Sequence, residues 1–201
     1  MHSIAKWRAG WRTSLAQCAR DDRGIAAVEF AMIAPLMIVM IFGMIDVSMG
    51  VGVDRKVTMV AQSMSDLASR ATSVDSTEFA NFTAIGVAML SPYPTADLSV
   101  VISQIYIDPK NNGAGKVYWS NNTAVRAVNS SYPVPAGLIG KDSAGTVLPD
   151  QYLILAEVKY IYKPIIGYVV AKAGITLSEV SYTRPRQSSC VAYLATPLAC
   201  N

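Results

Sequence analysis

The sequence of 201 residues is poor in charged side chains and contains a single histidine. Charged residues make up 15% of it, whereas about 25% is usual for a soluble domain. Together with 52% apolar residues, this deficit excludes a disordered chain, a coiled-coil rod and a strongly basic nucleic-acid-binding protein. Because the histidine is His2, the rest of the chain has none for a Ser-His-Asp triad or a histidine-ligated metal site.

Motifs of enzymes and cofactor-binding proteins are missing as well. The sequence has no glycine-rich phosphate loop, no CxxC pair and no G-x-S-x-G elbow. Asp108, Asp142 and Asp150 have carboxylates suited to calcium, but turn formation explains them better in their Gly- and Asn-rich surroundings. Met59 and Met64 are better explained by packing than by a metal site. We therefore expect no catalytic residue, no cofactor and no metal, and a protein that is not an enzyme.

The positive charge is concentrated before the most apolar part of the chain. The net charge is +3, and residues 1–24 hold five basic and two acidic side chains, while the remainder is balanced at twelve of each. Only Arg55 and Lys56 follow the apolar part closely. Since basic residues stay on the cytoplasmic side, this distribution predicts a cytoplasmic N-terminus and a periplasmic remainder.

The apolar part is long enough to cross a bilayer. Residues 30–45 contain no charge, and the stretch extends from Ile25 to Val53 with Glu29 and Asp46 as its only charged members. A bilayer core needs about 20 apolar residues. A buried core helix is the alternative, but such helices are usually shorter and amphipathic. The sequence therefore predicts one transmembrane helix.

The junction between the basic segment and this helix has the features of a processing site. A secretory signal peptide is cut after its apolar region, where Gly50 and Gly52 offer only a weak match. A lipoprotein site at Cys18 does not fit, because the apolar run follows this cysteine instead of preceding it. The third possibility is a cut after Gly24, which ends the charged leader directly before the helix. Without a Cβ, Gly24 lets the backbone approach a membrane protease closely.

The residues around Gly24 resemble a known family. The run DDRGIAAVEFA at residues 21–31, followed by Ala34-Pro35-Leu36, is similar to the start of TadE-like minor pilins (pseudopilins) of tight adherence (Flp) pilus systems. FGMID at residues 42–46 and the Tyr-x-x-Pro-Arg pattern at residues 182–186 agree with it.

The resemblance implies a bacterial inner-membrane prepilin-like subunit, cut between Gly24 and Ile25 by a prepilin peptidase. The partners it implies are this peptidase, other pilin and minor pilin subunits, the inner-membrane assembly platform and the lipid bilayer, but no nucleic acid. It leaves open whether the subunit enters the fibre, caps it or stays in the membrane. The rival hypothesis is an uncleaved, signal-anchored periplasmic enzyme or binding module, which would not need the pair of Gly24 and Glu29.

Two residues of the predicted span carry specific expectations. A lone carboxylate inside a bilayer costs about 2.5–3.5 kcal/mol on insertion scales, so Glu29 needs a cation. The α-amino group of Ile25 on a neighbouring subunit is available, and the resemblance implies the same pairing; solvation of Glu29 at headgroup level is the alternative. Pro35 removes a helix hydrogen bond and is expected to kink the span.

After the span, the spacing of apolar residues predicts a continued helix over residues 47–70. Asp75 and Glu78 form a capping box for a second helix over residues 76–90. Alternating patterns predict strands, and a loop separates the second strand from the third. The strands are expected at residues 98–107, 116–123, 152–163 and 175–183, and the loop at residues 129–150.

A helix followed by antiparallel strands predicts an α+β, pilin-like fold in which a long N-terminal helix packs on a small antiparallel sheet. The predicted organisation has three parts. These are a cleaved cytoplasmic leader (1–24), a transmembrane helix with its periplasmic extension (25–71), and a periplasmic α+β domain (72–201).

The cysteines fit the predicted compartment. Cys18 lies in the leader, while Cys190 and Cys200 remain after processing with nine residues between them. Because the periplasm is oxidising, we expect one disulfide that closes a small loop. The alternative is two free thiols on a mobile tail.

Overall fold

The structure is a computed structural model that describes residues 23–122, 124–164 and 174–194. The chain divides into two compact units, Met1–Val47 and Ser48–Asn201, which are considered separately below. The boundary between them falls within one helix, α1 (Arg23–Arg70), which is 48 residues long. Pro35 lies inside α1, and the helix is assigned without interruption on both sides of it.

The second unit is an α+β arrangement, as expected from the sequence. Five described strands form one antiparallel sheet in the order β4-β3-β2-β5-β6, and two further strands of two residues each, β1 and β7, pair in parallel. The described elements after α1 are β1 (Ser73–Val74), α2 (Ser76–Leu90), β2 (Leu98–Asp108), β3 (Ala114–Ser120), β4 (Ser131–Tyr132), β5 (Gln151–Tyr162), β6 (Ile175–Thr183) and β7 (Ala192–Tyr193).

Helix α2 begins where its capping box was predicted. The backbone N–H of Glu78 donates to Asp75 Oδ1 over 2.8 Å, and the backbone N–H of Asp75 donates to Glu78 Oε2 over 3.0 Å. These two bonds satisfy N–H groups that the first turn of a helix leaves without partners. The local sequence alone therefore fixes the start of α2.

The part of α1 within the second unit packs one apolar stripe on the sheet. Residues at three- and four-residue spacing are between 0% and 1% exposed, which confirms the predicted helical face. They form one cluster with apolar residues of α2, β2, β3 and β5. The buried stripe consists of Val53, Val57, Val60, Ala61, Met64 and Ala68.

The opposite face of the sheet is also covered, which the sequence analysis did not anticipate. The predicted loop at residues 129–150 contains β4 and a short 3₁₀ helix, Ala136–Leu138, and contributes Tyr132 and Val147 to a second core cluster. All residues of β5 from Gln151 to Val158 are buried as a result. Most of the segment is irregular, as predicted, and its packing against the sheet leaves this part of β5 buried on both faces.

Because of a β-bulge between β2 and β3, the short strand β3 contributes one side chain to each of the two core clusters. Gln104 is opposite Trp119, and Ile105 is opposite Val117, which leaves Tyr118 as an extra residue on β3. Without it, Val117 and Trp119 would face the same side, since side chains alternate along a strand. With it, Trp119 joins the cluster with α1, and Val117 joins the second cluster.

An ion pair lies on the face of the sheet that carries the second core cluster. Arg126 donates from Nε to Glu157 Oε2 over 2.7 Å and from Nη2 to Glu157 Oε1 over 2.5 Å, and its guanidinium stacks on Tyr132. Burial raises the pKa of the Tyr132 phenol, and a 2.9 Å hydrogen bond with Tyr182 adds to the shift. Glu157 alternates along β5 with apolar residues and is nevertheless buried, because Arg126 pairs with its carboxylate; Lys159, two residues further on, is exposed.

Two methionines on α1, one buried and one exposed, allow the contribution of core packing to stability to be tested. Met64 is 0% exposed and Met59 is 49% exposed. We expect Met64→Ala to lower the free energy of unfolding of the second unit by about 2–5 kcal/mol, because it leaves a cavity in a closed core. Met59→Ala is the matched control and should change it little. Urea unfolding of the full chain in detergent, followed by Trp119 fluorescence with Trp7 and Trp11 replaced by Phe, measures both. Equal effects of the two substitutions would contradict the assignment of the buried face.

Candidate membrane span and assembly site

The first part of α1 exposes apolar side chains along its length. Met32 is 76% exposed and Phe30 is 68% exposed, and within residues 24–47 large apolar side chains point outward on every side of the helix. Among the described residues, α1 is the one helix long and apolar enough to cross a membrane, and its most apolar window has no buried residue. Such a surface is suited to lipid or to neighbouring apolar helices.

Gly24 and Ile25 lie at the start of α1. Both are exposed, and a Cβ added at Gly24 would meet no atom within 4 Å. They lie in the first turn of α1 as the structure bounds it, where both are accessible to a protease. Residues 1–22, which include the predicted leader with Cys18, lie outside the described residues.

Glu29 is placed one helical turn after Ile25. Residues four apart share a helix face, and the rise between them is about 6 Å. The Glu29 side chain is exposed, and no ion pair joins it to any of the residues the structure describes. A cation for this carboxylate would thus come from outside the described chain. The predicted pairing with Ile25 of another subunit stays a prediction.

The Tyr-x-x-Pro-Arg pattern joins the end of β6 to the last turns of α1 in the second unit. Thr183 Oγ1 donates to Ser65 Oγ over 3.0 Å, and the backbone N–H of Arg186 donates to the Ser69 carbonyl over 2.9 Å. The Arg186 guanidinium also pairs with Asp66 at 2.8 Å. This structural role was not predicted from the sequence; the serines of α1 that it contacts are buried and therefore need polar partners.

Cys190 precedes Val191, whose backbone N–H and carbonyl are both hydrogen-bonded to side chains of the sheet. Trp119 Nε1 donates to the Val191 carbonyl over 2.7 Å, and the Val191 N–H donates to Gln104 Oε1 over 2.8 Å. Cys190 and Val191 are both fully buried. Cys200 lies outside the described residues, so the disulfide between Cys190 and Cys200 stays a prediction.

Asp108 and Asp142, two of the three acidic residues considered for calcium, accept hydrogen bonds within their own turns. Asp108 Oδ1 accepts from the Lys110 N–H over 3.0 Å, and Asp142 Oδ1 accepts from the N–H groups of Ala144 and Thr146. No group of three or more His, Cys, Asp or Glu side chains suited to a metal occurs in the described part of the chain. These contacts are the ones that the turn interpretation predicts.

Comparison with known proteins bears on α1. Residues 24–65 match the TadE-like protein family, so the chain carries a TadE-like domain at these positions, in agreement with the resemblance of its N-terminal motif. The match begins at Gly24 and includes both the exposed apolar part of α1 and most of its buried stripe. No curated protein and no solved structure shows significant similarity to the chain.

The predicted disulfide has a direct test in the full chain. We expect Cys190 and Cys200 to resist alkylation in denaturant without reductant and to react after reduction, because a disulfide has no free thiol. Denaturant is essential, since burial alone would protect Cys190 in the folded protein. Cys18 of the unprocessed precursor is an internal control that should react without reductant. Alkylation of Cys190 in unreduced, denatured protein, mapped by peptide mass, would disprove the disulfide.

Proposed function

We propose that this chain, which carries a TadE-like domain at residues 24–65, is a prepilin-like subunit of a tight adherence pilus system. A TadE-like domain indicates a pilin-like protein of the envelope that is associated with the Tad pilus. The finer proposal is that a prepilin peptidase cuts between Gly24 and Ile25 and that the mature subunit acts in pilus assembly. The observation that carries it is the start of the family match at Gly24, directly before an exposed apolar helix.

The geometry of α1 supports a product that stays in the membrane. A cut after Gly24 removes the basic leader and leaves the apolar helix on the product, whereas a cut after Gly50 or Gly52 would remove that helix. The exposed apolar side chains of residues 25–45 then have lipid or the helices of other subunits as their surroundings. The subunit is accordingly a single-pass inner-membrane protein with a periplasmic second unit.

Glu29 supports assembly in particular. A carboxylate in an apolar helix is retained when it has a role, because replacing it with an apolar residue makes insertion more favourable. The new amino group of Ile25 would be the first cation on the mature chain, and a carboxylate one turn away on a neighbouring helix is its natural partner. This pairing exists only between subunits, so its loss affects assembly and leaves the fold of one chain intact.

The cleavage site is tested with two glycines of the same helix. We expect Gly24→Val to accumulate as precursor, because the added side chain hinders the approach of the peptidase to the backbone. Gly43→Val is the matched control, since a Cβ at Gly43, as at Gly24, meets no atom within 4 Å. The intact mass of protein extracted from membranes should show a start at Ile25 for the wild type and for Gly43→Val.

Two results would contradict this assignment. A wild-type protein that begins at Met1 supports the rival hypothesis of an uncleaved anchor, and a start after Ser48 or Gly50 supports an ordinary signal peptide. Normal processing of Gly24→Val would mean that the peptidase does not depend on this glycine.

The role of Glu29 is tested by Glu29→Ala. We expect normal amounts of correctly cut subunit but few surface pili, because only the contact between subunits is lost, while insertion becomes easier by up to about 2.5–3.5 kcal/mol. Asp54→Ala is the matched control, since Asp54 is an exposed acid of the same helix beyond the apolar run. Immunoblotting for the subunit and counting of pili by electron microscopy measure the two effects.

Wild-type piliation of the Glu29→Ala strain would show that the carboxylate is solvated and has no part in assembly. Accumulation of precursor would instead place Glu29 in recognition by the peptidase. An equal loss of pili in the Asp54→Ala strain would mean that the effect is not specific to the membrane carboxylate.

A further inference from the structure

The turn between β2 and β3 contains the one asparagine of the sequence that precedes a glycine. Asn112 is followed by Gly113, whereas each other asparagine before Asn201 is followed by a residue with a side chain. In a flexible peptide an Asn-Gly pair deamidates readily, because no side chain shields the glycine nitrogen when it attacks the neighbouring amide. This turn thus holds a site that can modify itself without an enzyme.

The reaction needs only the chain and water. The backbone nitrogen of Gly113 attacks the side-chain carbonyl carbon of Asn112 and forms a C–N bond, and the side-chain nitrogen leaves as ammonia with the proton of that backbone nitrogen. One water molecule then opens the resulting five-membered succinimide at either of its carbonyl carbons. The product is aspartate, with the ordinary backbone, or isoaspartate, whose backbone runs through the former side chain and is longer by one methylene group.

The turn holds Asn112 in a conformation that blocks this attack. Residues Pro109–Asn111 form a 3₁₀ helix, and Asn112 follows it in the left-handed conformation with φ 50° and ψ 30°. Ring closure requires the Asn112 Cβ and the Gly113 nitrogen on the same side of the Cα–C bond. At this ψ the two atoms lie on nearly opposite sides of that bond.

The attacking nitrogen is also engaged, and its residue is enclosed. The Gly113 N–H donates to the Asp108 carbonyl over 3.0 Å, which closes the end of the 3₁₀ helix. Gly113 is buried, although Asn112 is exposed. A Cβ added at Gly113 would lie 3.0 Å from Ile139 and 3.5 Å from Val147. The segment at residues 129–150 therefore packs on the turn, and opening of the turn requires the loss of this contact.

We propose that Asn112 is a latent deamidation site, which the closed β2–β3 turn protects and which reacts when the turn opens. Isoaspartate lengthens the backbone inside a turn across which Asp108 is paired with Ala114. The longer turn no longer matches that register together with the bond from Gly113 to Asp108. Because water does not return the product to asparagine, the modification marks chains whose turn has been open. The inference concerns the second unit alone and does not depend on the proposed function.

Peptide mapping of the full chain in detergent measures the reaction. The protein is kept in mildly alkaline buffer, either folded or in denaturant, and the denaturant is removed before digestion. Trypsin releases residues 111–116, since Lys110 and Lys116 flank the cut sites. Replacement of the amide NH₂ by OH raises the mass of this peptide, and fragmentation locates the change at Asn112. Isoaspartyl methyltransferase measures the isoaspartate formed.

We expect Asn112 to deamidate at least about tenfold more slowly in the folded protein than in denaturant, because only chains with an open turn react. Asn129 is the matched control, since it is also left-handed, with φ 64°, but precedes Ser130; it should react slowly in both states. Equal rates at Asn112 in folded and denatured protein would overturn the protection by the turn. A rate in denaturant no faster than that of Asn129 would overturn the site itself.

Two variants test whether packing on the turn sets the rate. Ile139→Ala removes the side chain nearest to Gly113 and should speed deamidation in the folded protein by about tenfold, with no change in denaturant. Leu148→Ala, which shortens a 44% exposed side chain of the same segment, is the matched control and should leave the rate unchanged. A folded-state rate of Ile139→Ala equal to that of the wild type would overturn the role of this contact. If Trp119 fluorescence shows that Ile139→Ala is unfolded, Ile139→Val is used with the same readings.

The effect on folding is tested on chains that have already reacted. The wild type and Asn112→Gly are kept in denaturant until the wild type is deamidated, and the denaturant is then removed. Asn112→Gly is the control, because glycine adopts the left-handed conformation without strain and has no amide to lose. We expect Trp119 fluorescence to recover fully in Asn112→Gly and isoaspartate to be enriched in the wild-type chains that do not recover. Equal recovery of isoaspartate-containing chains and Asn112→Gly would overturn the effect on the hairpin.

Discussion

The burial of one stripe of α1 against the sheet is the contact on which the rest of the second unit depends. Val53, Val57, Val60 and Met64 close one side of the core, and β2, β3 and β5 supply the other side. Apolar surface removed from water contributes about 25 cal/mol per Å², so complete burial of this stripe stabilises the unit. Two hydrogen bonds fix how far along α1 the sheet is placed. Thr183 Oγ1 at the end of β6 donates to Ser65 Oγ, and the Arg186 N–H donates to the Ser69 carbonyl.

The part of α1 that precedes this stripe has a different distribution of apolar side chains. Within residues 24–47 its apolar side chains are exposed on all sides, which suits a lipid environment, whereas from Val53 onward only one face is apolar. The change from one pattern to the other occurs without a break in the helix. The TadE-like match at residues 24–65 includes both patterns, the exposed apolar part of α1 and most of its packed stripe.

The carboxyl-terminal part of the described chain is held by side chains of the sheet. Trp119 and Gln104 bind the carbonyl and the N–H of Val191, and strand β7 then pairs with β1 directly after α1. The Trp119 bond depends on the β-bulge at Tyr118, because the bulge turns Trp119 toward the α1 side of the sheet. One inserted residue in β3 thus supplies one of the bonds that hold the segment beside Cys190.

The sequence by itself was sufficient to predict the elements that depend on contacts between residues close together in the chain. The capping box of Asp75 and Glu78, the helical spacing from Val53 to Ala68, and the alternation of Ile175–Thr183 each produce their element through contacts between near neighbours or through one unbroken periodicity. The apolar run and the motif at Gly24 likewise depend on no distant contact, which is why the TadE-like resemblance was visible from the sequence. Tertiary structure alone decided the burial of Glu157, the second covered face of the sheet and the bulge at Tyr118. Each of these depends on a partner far away in the chain, such as Arg126 for Glu157, and periodicity within a strand carries no information about that partner.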